Sequence, residues 1–283
     1  MPGTPPFTLF GGASLGEGLF ATAKDVQQLL ALLTTLKIGH IDTAAIYPLS
    51  SQGKSEQLLG ENQTDHSFAI DTKIELTDFS GDGSLTASAI NESVAESLSR
   101  IKAKLGISNF SVAQVQELLE VCEKEGYTKP SYYQGQYNTL CREAEMELLP
   151  LLRQQKISYI AHSPLAGGFL TGIFTLGTDV IGTRSEDGNP TGDFFKRRYD
   201  NEPTHSAMKE LITLLQPYSI TPAEAALRWV YYRSALQEGD GVIIGARKPV
   251  QVSLNAASIA NGPLPSGIVE AMEKMWTNIQ AQI

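Results

Sequence analysis

The chain has 283 residues, 42% of them hydrophobic, which suits one large domain with a sizeable core. A net charge of −9 argues against a phosphate-backbone partner, so no nucleic acid is expected. No stretch approaches ~18 continuous apolar residues, no leading run resembles a signal peptide, and Cys122 and Cys141 are too few for a disulfide framework or zinc site. The expectation is a soluble, cytoplasmic chain with no membrane partner and no metal.

Phe7-Thr8-Leu9-Phe10-Gly11-Gly12 reads as a first strand ending in glycines, where a backbone can approach a ligand closely. Val26, Leu29, Leu30, Leu33 and Leu36 then recur at helical spacing behind Asp25. The stretches His40–Tyr47 and Phe68–Lys73 are short apolar strands that run out into polar residues, and between them Ser55–Gly60 reads as a short helix closed by glycine. His40 points to the same side as Asp42, one layer deeper, and reads as a packed histidine. His66 and His205 carry no signal. A polar, Gly-rich loop follows Lys73, then a helix through Ile90, Val94, Leu98 and Ile101 that runs directly into the strand Ala103–Asn109.

Downstream, Val112, Val115, Leu118 and Leu119 mark a helix with Cys122 in register on its apolar face. Tyr132–Asn138 is a strand rich in polar residues, Glu143–Gln154 a helix, and Ile157–Ser163 another strand. The stretch Leu165–Gly172 is Gly-rich, and backbone N–H groups in such a loop would suit a pyrophosphate. Residues from about Thr175 to Asn201, with Lys196, Arg197 and Arg198, read as a long loop, either a lid or a solvated segment. Thr221 and Pro222 cap a helix over Ala223–Arg233, and Gly241–Gly245 is the last strand. Arg247 and Lys248 then open a helix with two positive charges, apt for a phosphate, although a surface pair would look the same. The amphipathic stretch Ile268–Ile279 is expected to pack outside the sheet. Seven strands alternate with helices in a single domain over 1–283, ending near Phe10, Asp42, Lys73, Asn109, Tyr137, Ser163 and Gly245.

This alternation suits an α/β barrel, whose active sites are built at the C-terminal ends of the strands. Asp42, Tyr47 and Lys73 would emerge there together. Tyrosine, with an ordinary pKa near ~10, is a poor acid at neutral pH. A lysine ammonium within about 4–6 Å favours the phenolate, and a carboxylate holds that lysine in place. Such a tyrosine can protonate a carbonyl oxygen while a hydride arrives at its carbon.

The Asp-Thr-Ala…Tyr run followed by Thr-Lys resembles the aldo-keto reductase superfamily, and the likeness spans about Leu9 to Pro265. Tyr133–Asn138, Ser163–Gly172, Ala225–Trp229 and Asn255 are most similar to its aflatoxin-dialdehyde and succinic-semialdehyde reductase branch. The resemblance implies a TIM-type (β/α) barrel, NADPH or NADP+ as cofactor, a small carbonyl substrate, and a catalytic role for Asp42, Tyr47 and Lys73. It implies further that Ser108, Asn109 and Gln134 hold the nicotinamide carboxamide and that His162 stacks on the nicotinamide. Ser163, Leu165, Gly167 and Gly172 would wrap the pyrophosphate. Arg247, Gln251 and Asn255 would meet the adenosine end, with Arg247 on the 2′-phosphate.

The family's fourth catalytic residue, a histidine, has no counterpart. The helix ending at Arg100 meets the Ala103–Asn109 strand where the family has one more βα unit, a module of roughly 35 residues. The barrel is therefore expected to be incomplete, with the strands of Lys73 and Ser108 becoming neighbours or leaving a gap. Open edges at such a gap would favour a homo-oligomer. Three readings follow: a reductase, with full or impaired turnover; an NADP(H)-binding relative acting as a sensor or interaction protein; or the product of a mis-spliced or mis-predicted gene that folds poorly. The chain ends soon after Trp276, so no long C-terminal loop is expected to select the substrate.

Overall fold

The computed structural model describes residues 4–73, 87–177 and 190–280. The Gly-rich loop after Lys73 and the 178–189 part of the expected long loop lie outside the described residues. Seven parallel strands lie among those described: β1 Phe7–Gly11, β2 His40–Asp42, β3 Ala69–Lys73, β4 Lys104–Ser108, β5 Tyr132–Gln136, β6 Ser158–His162 and β7 Gly241–Gly245. Each pairs with the next and β7 returns to β1, closing the barrel.

The helices α1 Ala23–Thr35, α2 Lys54–Glu61, α3 Ala87–Arg100, α4 Val112–Glu125, α5 Leu148–Gln154, α6 Pro190–Tyr199, α7 Glu202–Leu215, α8 Pro222–Tyr232, α9 Pro249–Ala260 and α10 Ser266–Gln280 surround it. Local chemistry sets their starts. Thr22 and Asp25 form a reciprocal capping box on α1, Ser111 and Gln114 form another on α4, and Thr221 accepts from Glu224 N ahead of Pro222 on α8.

Side-chain alternation divides the core. The outward faces of the strands pack under the helices in two clusters, one around Trp229, Tyr137 and Leu149, the other around Phe10, Leu33 and Ile41. Leu9, Tyr132, Ile160 and Ile243 form a separate cluster with Phe7. These residues come from alternate positions of β1, β5, β6 and β7, so they fill the barrel itself. His40 is half-buried, its ring 4.4 Å from that of Phe7, and burial together with Lys104 lowers its pKa.

No gap opens between β3 and β4. They pair directly, Asp71 with Lys104, Thr72 with Leu105 and Lys73 with Gly106, so of the two expected outcomes the strands become neighbours, and the seven-stranded barrel is closed. Three contacts make the seam. The Tyr132 ring lies on Gly106, where an added Cβ would stand 2.1 Å from it, and the Tyr132 hydroxyl donates to Thr72 O at 2.8 Å. Glu56, fully buried on α2, accepts from Thr72 Oγ1 at 2.6 Å and from Arg100 Nη1 at 3.1 Å. Gly60 lets α2 approach the Arg100 carbonyl, which a Cβ would meet at 2.3 Å.

That approach also corrects the α2 boundary. Gly60 lies inside the helix, which ends at Glu61 with Asn62 as its cap, because the missing side chain of Gly60 serves packing rather than capping. The expected Glu143–Gln154 helix splits into a 3-10 turn at Glu143–Glu145 and α5, whose Pro150 sits in the first turn, where no N–H partner is needed. The later part of the expected Thr175–Asn201 loop is helix α6, whose Phe195 and Tyr199 stack with ring centroids 6.3 Å apart. His205 is better placed than its sequence suggested: its ring lies 5.2 Å from that of Phe169, between Thr175 and Asp200.

Replacing Arg100 by alanine strands the Glu56 carboxylate. The expected loss in urea unfolding is about 2–3 kcal/mol, below the full cost of an unpaired buried charge because Arg100 is itself 24% exposed. Arg100→Ala combined with Glu56→Leu should recover most of it.

Candidate active site

The polar inner residues collect at the C-terminal end of the barrel. Register places Gly11, Asp42 and Asp71 side by side on β1, β2 and β3, and Lys73 beside Gly106 on β4. Gln134 and His162 extend the same inward face on β5 and β6, above Tyr132 and Ile160. Asp42 is buried, and its Oδ1 accepts from Lys73 Nζ at 2.6 Å. Lys73 also donates to Thr43 O at 2.7 Å, and its ammonium stands 5.3 Å from the Tyr47 ring centroid. Tyr47 is half-buried, with its carbonyl accepting from Ser55 N and its N–H donating to Ala44 O. Ser55 in turn joins Thr43 Oγ1 at 2.7 Å and donates to Gly12 O at 3.0 Å, which fixes the loop carrying Tyr47.

Charge in this cluster is unbalanced. Burial would lower the Lys73 pKa, but Asp42, Tyr47 and Asp71 outweigh it and hold the ammonium above its ordinary value. Asp71 is buried and, among the described residues, its carboxylate makes no hydrogen bond. Burial, with Asp42 beside it, raises its pKa to about 6. His162 is pushed down to about 4 by burial and by Lys73, so its imidazole is neutral at pH 7, with Nδ1 3.0 Å from Ser163 Oγ. The set can hold a proton on Tyr47 and stabilise the phenolate it leaves behind.

The remaining predicted residues lie around the same end. Ser108 is half-buried at the end of β4, and Asn109 follows exposed, with a left-handed backbone of φ 63°. Gln134 is turned inward, and its Nε2 donates to Asp42 Oδ1 at 2.6 Å from across the barrel. Ser163, Ala166, Gly167, Gly168 and Gly172 all take positive φ, so the loop after β6 winds tightly, with Leu165 half-buried within it. The Phe195 ring of α6 lies on Gly167, where a Cβ would stand 2.2 Å from it. Arg247 is exposed ahead of α9. Gln251 Oε1 accepts from the N–H groups of Arg247 and Lys248 at 2.8 and 3.0 Å, and Asn255 lies one turn further on, half-buried.

The aldo/keto reductase family model matches this chain over residues 9–105 and 101–277. The chain belongs to the aldo/keto reductase family. The two matched segments overlap at residues 101–105, the junction between α3 and β4. An aldo-keto reductase of Pseudocercospora fijiensis is 35% identical over 254 residues, 88% of this chain and 83% of that protein. Oxidoreductase sirO of Leptosphaeria maculans is 31% identical over 313 aligned residues, 96% of this chain and 94% of its own. Aflatoxin B1 aldehyde reductase member 2 of Rattus norvegicus is 36% identical over 182 residues, 61% of this chain and 49% of its own length. Aldo/keto reductases are oxidoreductases that use a nicotinamide cofactor on carbonyl groups.

The donors of this aldo/keto reductase fit such a cofactor. Polar side chains end β4 and β6, a glycine-rich turn follows β6, and two cations precede α9. Among the described residues no group of three or more His, Cys, Asp and Glu could hold a metal, and no helix is long and apolar enough to cross a membrane.

Sequence reasoning did not single out three site residues. Asp71 lies two positions before Lys73, a strand spacing that already places both on one face. Tyr132 stands in the same relation to Gln134. Tyr199 is buried over the mouth, its hydroxyl accepting from Gln136 Nε2 at 2.7 Å. No sequence signal pointed to Tyr199, because it arrives on a helix expected to be loop.

Asp71 generates a stability prediction. Its folded pKa is raised, so the folded chain binds more protons than the unfolded chain between about pH 4 and 6. Its contribution is fully present below pH 4 and is lost as pH rises through 6. Asp71→Asn should therefore stabilise the protein at pH 7 by up to about 3 kcal/mol and flatten the decline between pH 4 and 6. Urea midpoints measured across that range check both.

Proposed function

We propose that this chain is an NADPH-dependent reductase of a small aldehyde or ketone, working slowly. The observation that carries the reading is the Lys73 ammonium, bonded to buried Asp42 at 2.6 Å and facing the Tyr47 ring. Tyr47 gives its proton to the carbonyl oxygen, Lys73 stabilises the phenolate, and Asp42 holds Lys73 in position. Bound NADPH supplies the hydride to the carbonyl carbon. Ser108 and Asn109 hold the carboxamide, and the flat, neutral imidazole of His162 stacks on the nicotinamide. The turn through Ser163, Leu165, Gly167 and Gly172 takes the pyrophosphate, while Gln251 and Asn255 meet the adenosine. Arg247 selects the 2′-phosphate. The aldehyde reductases among its relatives support an aldehyde as the substrate class.

The family histidine that would bond the developing oxyanion has no counterpart, and one such donor is worth on the order of 10²–10³ in rate. The same absence favours a second reading, an NADP(H)-binding relative that senses or interacts rather than turns over.

A single-turnover assay with a small activated aldehyde separates the two. Turnover that is slow but falls at least about 100-fold in Tyr47→Phe supports the reductase; NADPH binding with no turnover supports the sensor. Tyr47→Phe at an unchanged rate removes Tyr47 as the proton donor. Cofactor choice has its own test: Arg247→Ala should weaken NADPH by about ten- to a hundredfold and NADH far less, since a charge-assisted phosphate contact is worth roughly 1.5–3 kcal/mol. Equal losses in a fluorescence titration take Arg247 out of that role.

A further inference from the structure

Asp42 Oδ1 receives two hydrogen bonds of 2.6 Å, one from the Lys73 ammonium on the neighbouring strand and one from the Gln134 amide on β5. Asp42 and Gln134 are both 3% exposed, so neither bond is shared with bulk water. In so dry a site a neutral donor draws off part of a carboxylate's charge. The oxygen that Gln134 touches is the one that offsets the Lys73 charge. We infer that Gln134 is a positioning residue for the proton donor: it disperses the Asp42 charge, so that more of the Lys73 field acts on Tyr47. The inference rests on the reading of Tyr47 as that donor.

Four observations make the coupling specific. Lys73 has spent two donors, on Asp42 and on the Thr43 carbonyl, and its ammonium faces the Tyr47 ring. Gly106, beside Lys73 in register, carries no side chain, and Tyr132 occupies that space with its hydroxyl committed to Thr72 O. Among the described residues, the other titratable groups facing the cluster are Asp71 on β3, Lys104 on β4, Tyr132 on β5 and His162 on β6. Asp71 lacks a donor of its own, so Gln134 is the neutral donor available to the two adjacent carboxylates among the described residues.

The experiment follows Tyr47 itself. The chain contains ten tyrosines, so 13Cζ-tyrosine spectra are titrated with pH, and the Tyr47→Phe variant assigns the resonance. Gln134→Leu keeps the volume and removes the donor; Gln134→Asn keeps the amide but shortens the arm. Either change should raise the Tyr47 midpoint by about half to one pH unit, the size of one ordinary hydrogen bond. The shift should vanish in an Asp42→Asn background, because the effect runs through that carboxylate. An unmoved midpoint in both folded variants overturns the inference, as does a shift of equal size with Asp42→Asn. Weaker NADPH binding with the midpoint unmoved makes Gln134 a cofactor contact instead, which also overturns it. Reduction at an unchanged rate in Tyr47→Phe overturns the reading of Tyr47 as the proton donor, and the titration still reports separately whether Gln134 acts on Tyr47.

Discussion

Between β3 and β4 the sheet closes over three residue pairs, and the arrangement of the site depends on that short seam. Closure ties strand number to tilt and stagger, so a barrel of seven strands must curve more tightly than one of eight. The seam answers with small and planar groups. Gly106 yields the volume of a side chain, Tyr132 fills it with a ring, and the Tyr132 hydroxyl ties β5 to the backbone of β3. Outside the barrel, Glu56 gathers Thr72 and Arg100 onto one buried carboxylate, which fastens α2, β3 and the end of α3. A sheet left open here would offer unpaired edges to other chains, a cost the seam avoids.

A narrower barrel also brings opposite walls into reach. The Gln134 amide crosses from β5 to Asp42 on β2, and the cluster then holds two adjacent carboxylates against one ammonium. Asp71 bears the consequence. It is buried without a donor among the described residues and carries a raised pKa, which is destabilising at neutral pH. Such groups are characteristic of sites where chemistry, rather than stability, sets the residue choice.

Much of this was legible in the sequence. The strands ending at Asp42, Lys73, Ser163 and Gly245 could be read because each apolar run stops in polar or glycine residues, and the Thr221–Pro222 helix start because its cap is local. The direct passage from Arg100 into β4 was visible as well, since it is a matter of chain order. Whether that passage left a gap was not, because closure rests on Tyr132, Gly106 and Glu56, residues far apart in the chain with no shared local signal. Gln134 shows the same limit from the side of the site: strand periodicity places it inward, but only the opposite wall decides what its amide meets. Helix α6 was missed because its aromatic residues gain their value by packing on Gly167 and Phe169, a tertiary reward that local pattern does not carry.

The loops at the strand ends complete the argument from closure to chemistry. Asn109 after β4 and Ser163 and Ala166 after β6 all take left-handed backbone conformations without being glycine, and each such residue costs of the order of 1 kcal/mol. They persist because the fold secures them: the Ser163 carbonyl accepts from Asn138 Nδ2 at 3.0 Å and from Ala166 N at 2.9 Å. A left-handed residue immediately beyond a strand turns the chain sharply across the barrel mouth instead of letting it run outward into the next helix. The polar groups of two separate loops are thereby brought over the same opening that Asp42, Lys73 and Tyr47 line. The seam fixes the inner wall of that opening and the strained turns fix its rim. The strain and the unmatched Asp71 charge fall together at this one end of the barrel, while the other end is filled by Phe7, Leu9, Ile160 and Ile243 in ordinary apolar packing.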